Sequence, residues 1–129
     1  MSVEIRMLAW SVILGLVQIL AAAVAGMGQR GSSWAASSRD ESPAALTGVA
    51  GRLDRARANF LETFAFFAAL VLAVMATGRQ DATSALGAQL YFWGRLVYVP
   101  IYAAGIPYLR TLVWAVSIAG LVLLLVPLF

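Results

Sequence analysis

The 129-residue chain has no cysteine, no histidine and no lysine, and only 12% of its residues are charged. Soluble domains usually have ~25% charged residues. Without cysteine and histidine the chain offers no Cys or His nucleophile, no Ser-His-Asp triad, no disulfide and no thiolate or imidazole ligand for a metal. With 62% hydrophobic residues and a mean hydropathy of +0.87, the composition favours an all-α integral membrane protein with one domain over residues 1–129.

The basic residues are few and all of one kind. Nine arginines stand against six acidic residues, which leaves a formal net charge of +3. This excess is too small to indicate a nucleic-acid partner. The planar guanidinium instead suits recognition of carboxylates or phosphates and the boundary of a membrane.

Four apolar stretches predict four transmembrane helices. Met7 to Met27 holds 21 residues without a charge and Leu112 to Phe129 holds 18, close to the ~20 that cross a bilayer. Two further stretches between them contain polar residues. We predict helices over about 5–27, 54–77, 82–104 and 109–128, with a polar loop over 28–53, packed as a four-helix bundle.

The arginine distribution predicts the orientation of these helices. The first and third connections carry Arg30, Arg39, Arg52, Arg55 and Arg110. The side that holds both termini carries Arg6 and Arg79. By the positive-inside rule we expect the loop over 28–53 to be cytoplasmic and both termini to lie on the non-cytoplasmic side.

Each of the two middle helices carries a polar stripe. The first stripe consists of Arg52, Arg55, Asn59 and Glu62, and the second of Tyr91, Arg95, Tyr98 and Tyr102. Spacings of three and four residues place each set on one helix face. Charged residues inside a membrane cost a few kcal/mol unless they face protein, water or a partner, so both stripes are candidates for function.

Both stripes approach the predicted cytoplasmic boundary, where Arg110 lies just beyond a Gly-Ile-Pro turn. Together they predict a cleft suited to a small anion with two carboxylates and one ammonium group. Arginine forks bind carboxylates, while Glu62 and Asn59 suit an amine. Glutathione fits this description, and a guanidinium near its thiol would favour the nucleophilic thiolate.

Structural explanations stand beside this interpretation. Arg52, Arg55 and Arg57 also fit a positively charged membrane boundary, and Arg110 also fits an anchor for lipid headgroups. Arg95 and Glu62 are compatible with a structural ion pair. The tyrosines also suit an aromatic belt at the membrane surface.

Two segments resemble the MAPEG family, the membrane-associated proteins in eicosanoid and glutathione metabolism. The segment from Arg55 to Thr63 (RARANFLET) is similar to the Arg-Ala-x-x-Asn-x-x-Glu signature that opens the second helix of the family. The segment from Gly94 to Thr111 is similar to the third helix and the turn that follows it.

The resemblance implies a four-helix bundle that assembles as a homotrimer, with glutathione as co-substrate bound between subunits near the cytosolic face. It implies glutathione contacts from Arg55, Asn59, Glu62, Arg95, Tyr98 and Tyr102. Arg110 matches the arginine that activates the thiol in leukotriene C and prostaglandin E synthases, and is the expected catalytic residue. No metal is expected.

The expected function is therefore that of a glutathione-dependent transferase or isomerase of the microsomal type. It would act on a lipophilic electrophile from the membrane lipid, in a short bacterial member of the family located in the inner membrane. A non-catalytic membrane subunit or lipid-binding module with the same fold is the alternative. The residues leave open the electrophile and the choice among conjugation, peroxidase and isomerase chemistry.

Overall fold

A computed structural model of the chain describes residues 1–38 and 45–129, and its regular structure in these two ranges is helical throughout. The helices are α1 (Val3–Arg30), α2 (Ser32–Ala36), α3 (Gly48–Ala76), α4 (Ala82–Ala103) and α5 (Pro107–Leu125), followed by a 3₁₀ turn at Val126–Leu128.

The four long helices form a bundle in which α4 contacts α1, α3 and α5. The α4–α5 contact is the most extensive. It is made possible by Gly87 and Gly120, because a Cβ at either glycine would lie within 2.6 Å of the carbonyl oxygen of the other. In the described parts of the chain α1 and α5 do not meet, so α4 separates them.

Three helical segments are long and apolar enough to cross a membrane: Val3–Arg30, Gly48–Ala76 and Pro107–Leu128. Large apolar side chains such as Leu20, Phe66 and Leu112 are exposed on their surfaces. These features agree with the predicted integral membrane protein. With 22 residues, α4 has a length of about 33 Å, but its most apolar stretch is less hydrophobic than those of the other three, and α4 is not among them.

Helices α1 and α3 extend beyond the stretches predicted from apolar composition. α1 continues to Arg30, and α3 begins at Gly48 where the prediction placed residue 54. The reason is physical: apolar composition marks the part of a helix inside the bilayer, whereas backbone hydrogen bonds continue into the polar turns outside it. The connection between α1 and α3 is therefore shorter than the loop predicted over 28–53, and it contains α2. Arg39, which the prediction placed in this loop, lies outside the described residues.

Aromatic packing between α3 and α4 forms the centre of the bundle. The rings of Phe67 and Tyr91 stack with their centroids 4.1 Å apart, and the Tyr91 hydroxyl lies 3.0 Å from the Thr63 hydroxyl. Phe60 fills the space against Gly15 of α1, where a Cβ would lie 2.9 Å from the Phe60 ring. This packing sets the register of α3 against α4 and so aligns their two polar stripes.

The bundle end where α1 and α4 end and α3 and α5 begin is here called the arginine-rich end. Side-chain hydrogen bonds join the helices there. The Gln29 side chain donates to the Thr47 carbonyl at 2.8 Å and accepts from the Thr47 amide at 3.0 Å, which links the end of α1 to the start of α3. Arg52 of α3 donates from Nε to the Ala103 carbonyl of α4 at 2.8 Å.

Candidate functional site

Tyr102 lies at the centre of a cluster at the arginine-rich end. The Arg55 Nε donates a hydrogen bond to the Tyr102 hydroxyl at 3.1 Å. The Arg110 guanidinium carbon lies 4.9 Å from the centre of the Tyr102 ring, within cation–π range. Three helices therefore each contribute one predicted site residue to what we call the Tyr102 cluster.

The turn between α4 and α5 positions Arg110 in this cluster. Gly105 adopts φ +76°, a left-handed conformation that glycine adopts without steric cost, and Pro107 opens α5 with its favoured backbone angle. Arg52 packs beside Gly105 and holds the end of α4 through the Ala103 carbonyl. The first turn of α5 therefore places Arg110 above Tyr102.

A cavity of about 160 Å³ opens beside the Tyr102 cluster. Its lining consists of Arg52, Tyr102, Gly105, Ile106, Pro107 and Arg110. Sites that enclose a drug-sized ligand have volumes of ~300–1,000 Å³. One chain therefore presents a charged recess that matches part of a tripeptide.

Arg95 and Tyr98 occupy the bundle interior, where they are 1% and 0% exposed. The Arg95 guanidinium carbon lies 4.2 Å from the centre of the Tyr98 ring and 5.7 Å from that of Phe60. Within the described chain, none of the three guanidinium nitrogens has a hydrogen-bond partner, and the Tyr98 hydroxyl and Asn59 Oδ1 also lack one. The structure therefore separates two predicted site residues from the open cluster.

Ring contacts connect this interior group with the Tyr102 cluster. The rings of Tyr98 and Tyr102 meet edge to face, with centroids 5.5 Å apart and planes at 62°. A column of two rings between two guanidinium groups thus runs along α4 from Arg95 through Tyr98 and Tyr102, and it ends at Arg110 of α5. The interior arginine lies behind the two tyrosines.

Glu62 is exposed on α3 and belongs to no ion pair among the described residues. The ion pair that the structure shows in those ranges joins Arg57 to Asp54 at 2.9 Å. The structural pair between Arg95 and Glu62, which the spacing allowed, is therefore not formed in the described chain. Glu62 and the partly exposed Asn59 remain on the surface of α3 that also carries Arg55.

A second arginine-bearing surface lies on the other side of α3, which we call the Arg57 face. Arg57 is two residues from Arg55 and so projects about 200° away around the helix. A cavity of about 380 Å³ opens there between α1 and α3, with Arg30, Trp34, Asp54 and Arg57 among its lining residues. The Arg30 guanidinium carbon lies 5.1 Å from the centre of the Trp34 ring.

The sequence prediction missed three polar residues on the inner face of α1. Glu4, Ser11 and Gln18 follow one another at intervals of seven residues and are at most 4% exposed. Each has an oxygen without a hydrogen-bond partner in the described ranges. The seven-residue spacing was the signal that marked them as one face, since it equals almost two helical turns.

Among residues 1–38 and 45–129 no group of three or more His, Cys, Asp or Glu side chains could hold a metal. The donors of the Tyr102 cluster are guanidinium and phenol groups, which bind anions. The site chemistry is therefore that of anion recognition.

Comparison of the sequence with models of protein families shows to which family the chain belongs. The sequence profile of the MAPEG family matches residues 7–129. The chain belongs to the MAPEG family. The match confirms the resemblance carried by the two motifs and extends it to all four long helices. No curated protein sequence matches the chain significantly.

Membership of the MAPEG family indicates an integral membrane protein with a role in the glutathione or eicosanoid chemistry of that family. It also fits the observed helical bundle. In this MAPEG protein, the Tyr102 cluster contains Arg55, Tyr102 and Arg110, residues from both motifs. The family motifs and the geometry therefore both indicate the arginine-rich end as the location of the candidate site.

Proposed function

We propose that this MAPEG protein is a glutathione-dependent membrane transferase or isomerase that acts on a lipophilic electrophile. The observation that carries the proposal is the position of Tyr102 between Arg55 and Arg110. Two guanidinium groups from different helices meet around one phenol at the boundary of a membrane protein. This arrangement provides charge-assisted donors for carboxylate and thiolate groups.

Different residues of the two stripes bind different groups of the tripeptide. Arg55 binds a carboxylate, whereas Glu62 and Asn59 bind the ammonium group of the γ-glutamyl residue. Glu62 is suited to this role because it is exposed and has no ion-pair partner in the described chain. Arg95 and Tyr98 act from behind through Tyr102.

Arg110 is the proposed catalytic residue. A fixed positive charge near the glutathione sulfur stabilises the thiolate relative to the thiol, and the thiolate attacks the electrophile. Arg110 extends from the first turn of α5, so its position depends on the rigid turn at Gly105. Its contribution combines orientation of the sulfur with electrostatic stabilisation.

We propose that the complete site forms between chains of a homotrimer. The recess beside Tyr102 is too small to enclose a tripeptide, while Arg30 and Arg57 line a separate cavity on the Arg57 face. A neighbouring chain that presents its Arg57 face to the Tyr102 cluster would supply the missing walls, with Arg30 and the Arg57–Asp54 ion pair among them. In the same proposal α4 is the fourth membrane span.

The arginine-rich end then lies on the cytoplasmic side of a bacterial inner membrane. The arginines of α3 and α5 at that end support this orientation by the positive-inside rule. Cytosolic glutathione would reach the site from the aqueous side, and an apolar electrophile would reach it from the bilayer.

The test is the ultraviolet absorbance of the thiolate when glutathione is added at neutral pH to the purified protein in detergent. Arg110→Ala is the test variant and Arg6→Ala, at the opposite end of the bundle, is the matched control. We expect a saturable thiolate signal in wild type and Arg6→Ala that is lost in Arg110→Ala. If Arg110→Ala gives the same thiolate signal as wild type, Arg110 does not activate the thiol. If wild type gives no thiolate signal and calorimetry detects no glutathione binding, the proposed glutathione site is wrong.

The alternative is a non-catalytic membrane subunit or lipid-binding module. The observation that favours it is the enclosure of Arg95 and Tyr98, which leaves two of the predicted binding residues out of reach of a ligand. In that case the contacts of Arg95, Tyr98 and Tyr102 only hold the helices together. Calorimetry with glutathione separates the two functions, because the subunit is expected to bind none.

A further inference from the structure

The cavity on the Arg57 face changes character along α1. It has a volume of about 380 Å³ and lies near the arginine-rich end. Its apolar lining comes mainly from the second half of α1 and consists of Ile19, Ala22, Ala23, Gly26, Met27 and Leu46. Arg30, the last residue of α1, follows Gly26 by about one helical turn. The charged end of the cavity includes Arg30, Trp34, Asp54 and Arg57. The cavity is therefore amphipathic.

The order of these residues along α1 matches the order of groups in a membrane lipid. From Ile19 to Arg30 the helix rises by about 16 Å. Because α1 is long and apolar enough to cross the membrane and ends at Arg30, the apolar lining extends from this boundary toward the bilayer centre. A lipid with its phosphate beside Arg30 would place an acyl chain along that lining. Glutathione and inorganic phosphate have no apolar chain and match the charged end alone.

The charges of this face match one phosphodiester group. Arg30 and Arg57 supply two positive charges and Asp54 supplies one negative charge, which leaves one positive charge for a monoanion. Nε and Nη2 of Arg57 donate to Oδ1 of Asp54 at 3.2 and 2.9 Å. A guanidinium has five N–H donors, so others remain for phosphate oxygens. The Arg57 side chain is 30% exposed and within reach of a headgroup. Trp34 adds an indole, a side chain enriched at headgroup level.

We propose that the Arg57 face binds one membrane phospholipid, whose phosphodiester contacts Arg30 and Arg57 and whose acyl chain lies along the apolar lining of α1. The bilayer supplies this ligand at all times, and basic side chains at its boundary attract phosphate groups. In the proposed homotrimer the same face is a wall of the glutathione site, so phospholipid and glutathione compete for the two arginines. The competition rests on the proposed function, whereas the lipid site does not.

Native mass spectrometry of the purified protein in a neutral detergent counts the bound lipids per chain and gives their affinities. The probe is dioctanoylphosphatidylglycerol. Dioctanoylglycerol, which lacks the phosphodiester, is the matched control ligand. We expect one phosphatidylglycerol per chain, bound about tenfold more tightly than the control or better, because hydrogen bonds between charged groups are the strong ones. Glycerophosphoglycerol, the same headgroup without acyl chains, is expected not to displace the lipid at equal concentration.

Two substitutions with opposite expected effects locate the lipid on this face. Arg57→Gln removes a phosphate contact and is expected to weaken phosphatidylglycerol binding about fivefold or more. Asp54→Asn removes the carboxylate that competes for Arg57, so we expect binding to tighten about two- to fivefold. A variant that fails to fold cannot produce this gain. Arg6→Gln, at the opposite end of the bundle, is the matched control for general attraction between arginine and lipid, and we expect it to leave the affinity unchanged.

Equal affinities for phosphatidylglycerol and dioctanoylglycerol would overturn the lipid site. Displacement by glycerophosphoglycerol at equal concentration would also overturn it, because the acyl chain would then contribute nothing. The same conclusion would follow if Asp54→Asn failed to tighten binding, or if Arg6→Gln weakened it as much as Arg57→Gln does. In either case the lipid would bind away from the Arg57 face.

Glutathione tests the competition. At ten times its dissociation constant from calorimetry, glutathione is expected to weaken the apparent binding of phosphatidylglycerol about tenfold, by mass action. Glutathione that binds without changing the lipid affinity would reject the competition. If calorimetry detects no glutathione binding, the competition and the proposed function are both wrong, while the lipid site is judged on the measurements without glutathione. Failure of the proposed function and failure of the lipid site are therefore distinguishable.

Discussion

Arg55 and Tyr102 are joined by a hydrogen bond of 3.1 Å although 47 residues separate them in the chain. The bond connects α3 with α4 at the arginine-rich end. The guanidinium carbon of Arg110 lies 4.9 Å from the centre of the same tyrosine ring. One phenol therefore contacts two guanidinium groups that come from different helices.

Tyr102→Phe removes the hydroxyl and keeps the ring. We expect glutathione to bind about two- to tenfold more weakly, because Arg55 loses a hydrogen bond to a neutral acceptor, while Arg110 keeps its ring contact. Isothermal titration calorimetry measures the change. Tyr108→Phe is the matched control because Tyr108 is 90% exposed. Equal affinities of the two variants would show that the hydroxyl does not position Arg55.

Arg95→Met replaces an interior guanidinium by an apolar chain of similar shape. Within the described chain the Arg95 guanidinium has ring contacts but no hydrogen bond or ion pair. Burial of such a charge destabilises the folded state, so we expect the variant to unfold at the same or a higher temperature. We also expect weaker glutathione binding, because positive charge behind the two tyrosines is lost. Thermal unfolding in detergent and calorimetry measure these effects. A clear fall in the unfolding temperature would mean that the contacts of Arg95 with the Tyr98 and Phe60 rings outweigh the cost of burying its charge.

Glu62→Gln removes the exposed carboxylate of α3 with little change in shape. We expect about a tenfold loss of affinity for glutathione, because hydrogen bonds between charged groups contribute ~1.5–3 kcal/mol. Analogues of glutathione without the α-amino group supply the control, since they should bind wild type and Glu62→Gln equally. If the variant discriminates against the analogue as strongly as wild type does, Glu62 is not the ammonium contact.

Gly120→Ala tests the close approach of α4 and α5. The added Cβ would lie 2.5 Å from the Gly87 carbonyl oxygen, so the helices must separate. We expect a loss of about 1–3 kcal/mol in the free energy of unfolding, as for overpacked cores. Gly28→Ala is the control, because its Cβ meets no atom within 4 Å. It is expected to gain up to ~1 kcal/mol from helix propensity, and equal effects would contradict the contact.

Much of the fold follows from composition because a bilayer permits few backbone structures. The uncharged run from Met7 to Met27 lies within α1, and the apolar run from Leu112 lies within α5 and its final turn. The start of α3 at Gly48 was outside the prediction, since the polar turns beyond the bilayer carry no apolar signal. The pair Gln29 and Thr47, which joins two helix ends across a loop, also has no counterpart in local periodicity.

The candidate site was predictable in part for a similar reason. Spacings of three and four residues place side chains on a common face, and the structure brings Arg55, Tyr102 and Arg110 together. Periodicity does not say which stripe residues point inward between helices and which lie at the surface. Arg95 and Tyr98 illustrate this limit, because their burial depends on how α4 packs against α3.

The glycine contact between α4 and α5 also bears on how the protein enters the membrane. α4 contains Arg95, and its most apolar stretch is less hydrophobic than that of the other long helices, whereas α5 is strongly apolar and follows it after a short turn. An isolated α4 would be poorly retained in lipid. Gly87 and Gly120 let the two backbones meet. With α4 as the proposed fourth span, we therefore expect α4 and α5 to be inserted together as a helical hairpin during synthesis. A disturbed contact would then lower the yield of inserted protein before it affects any activity.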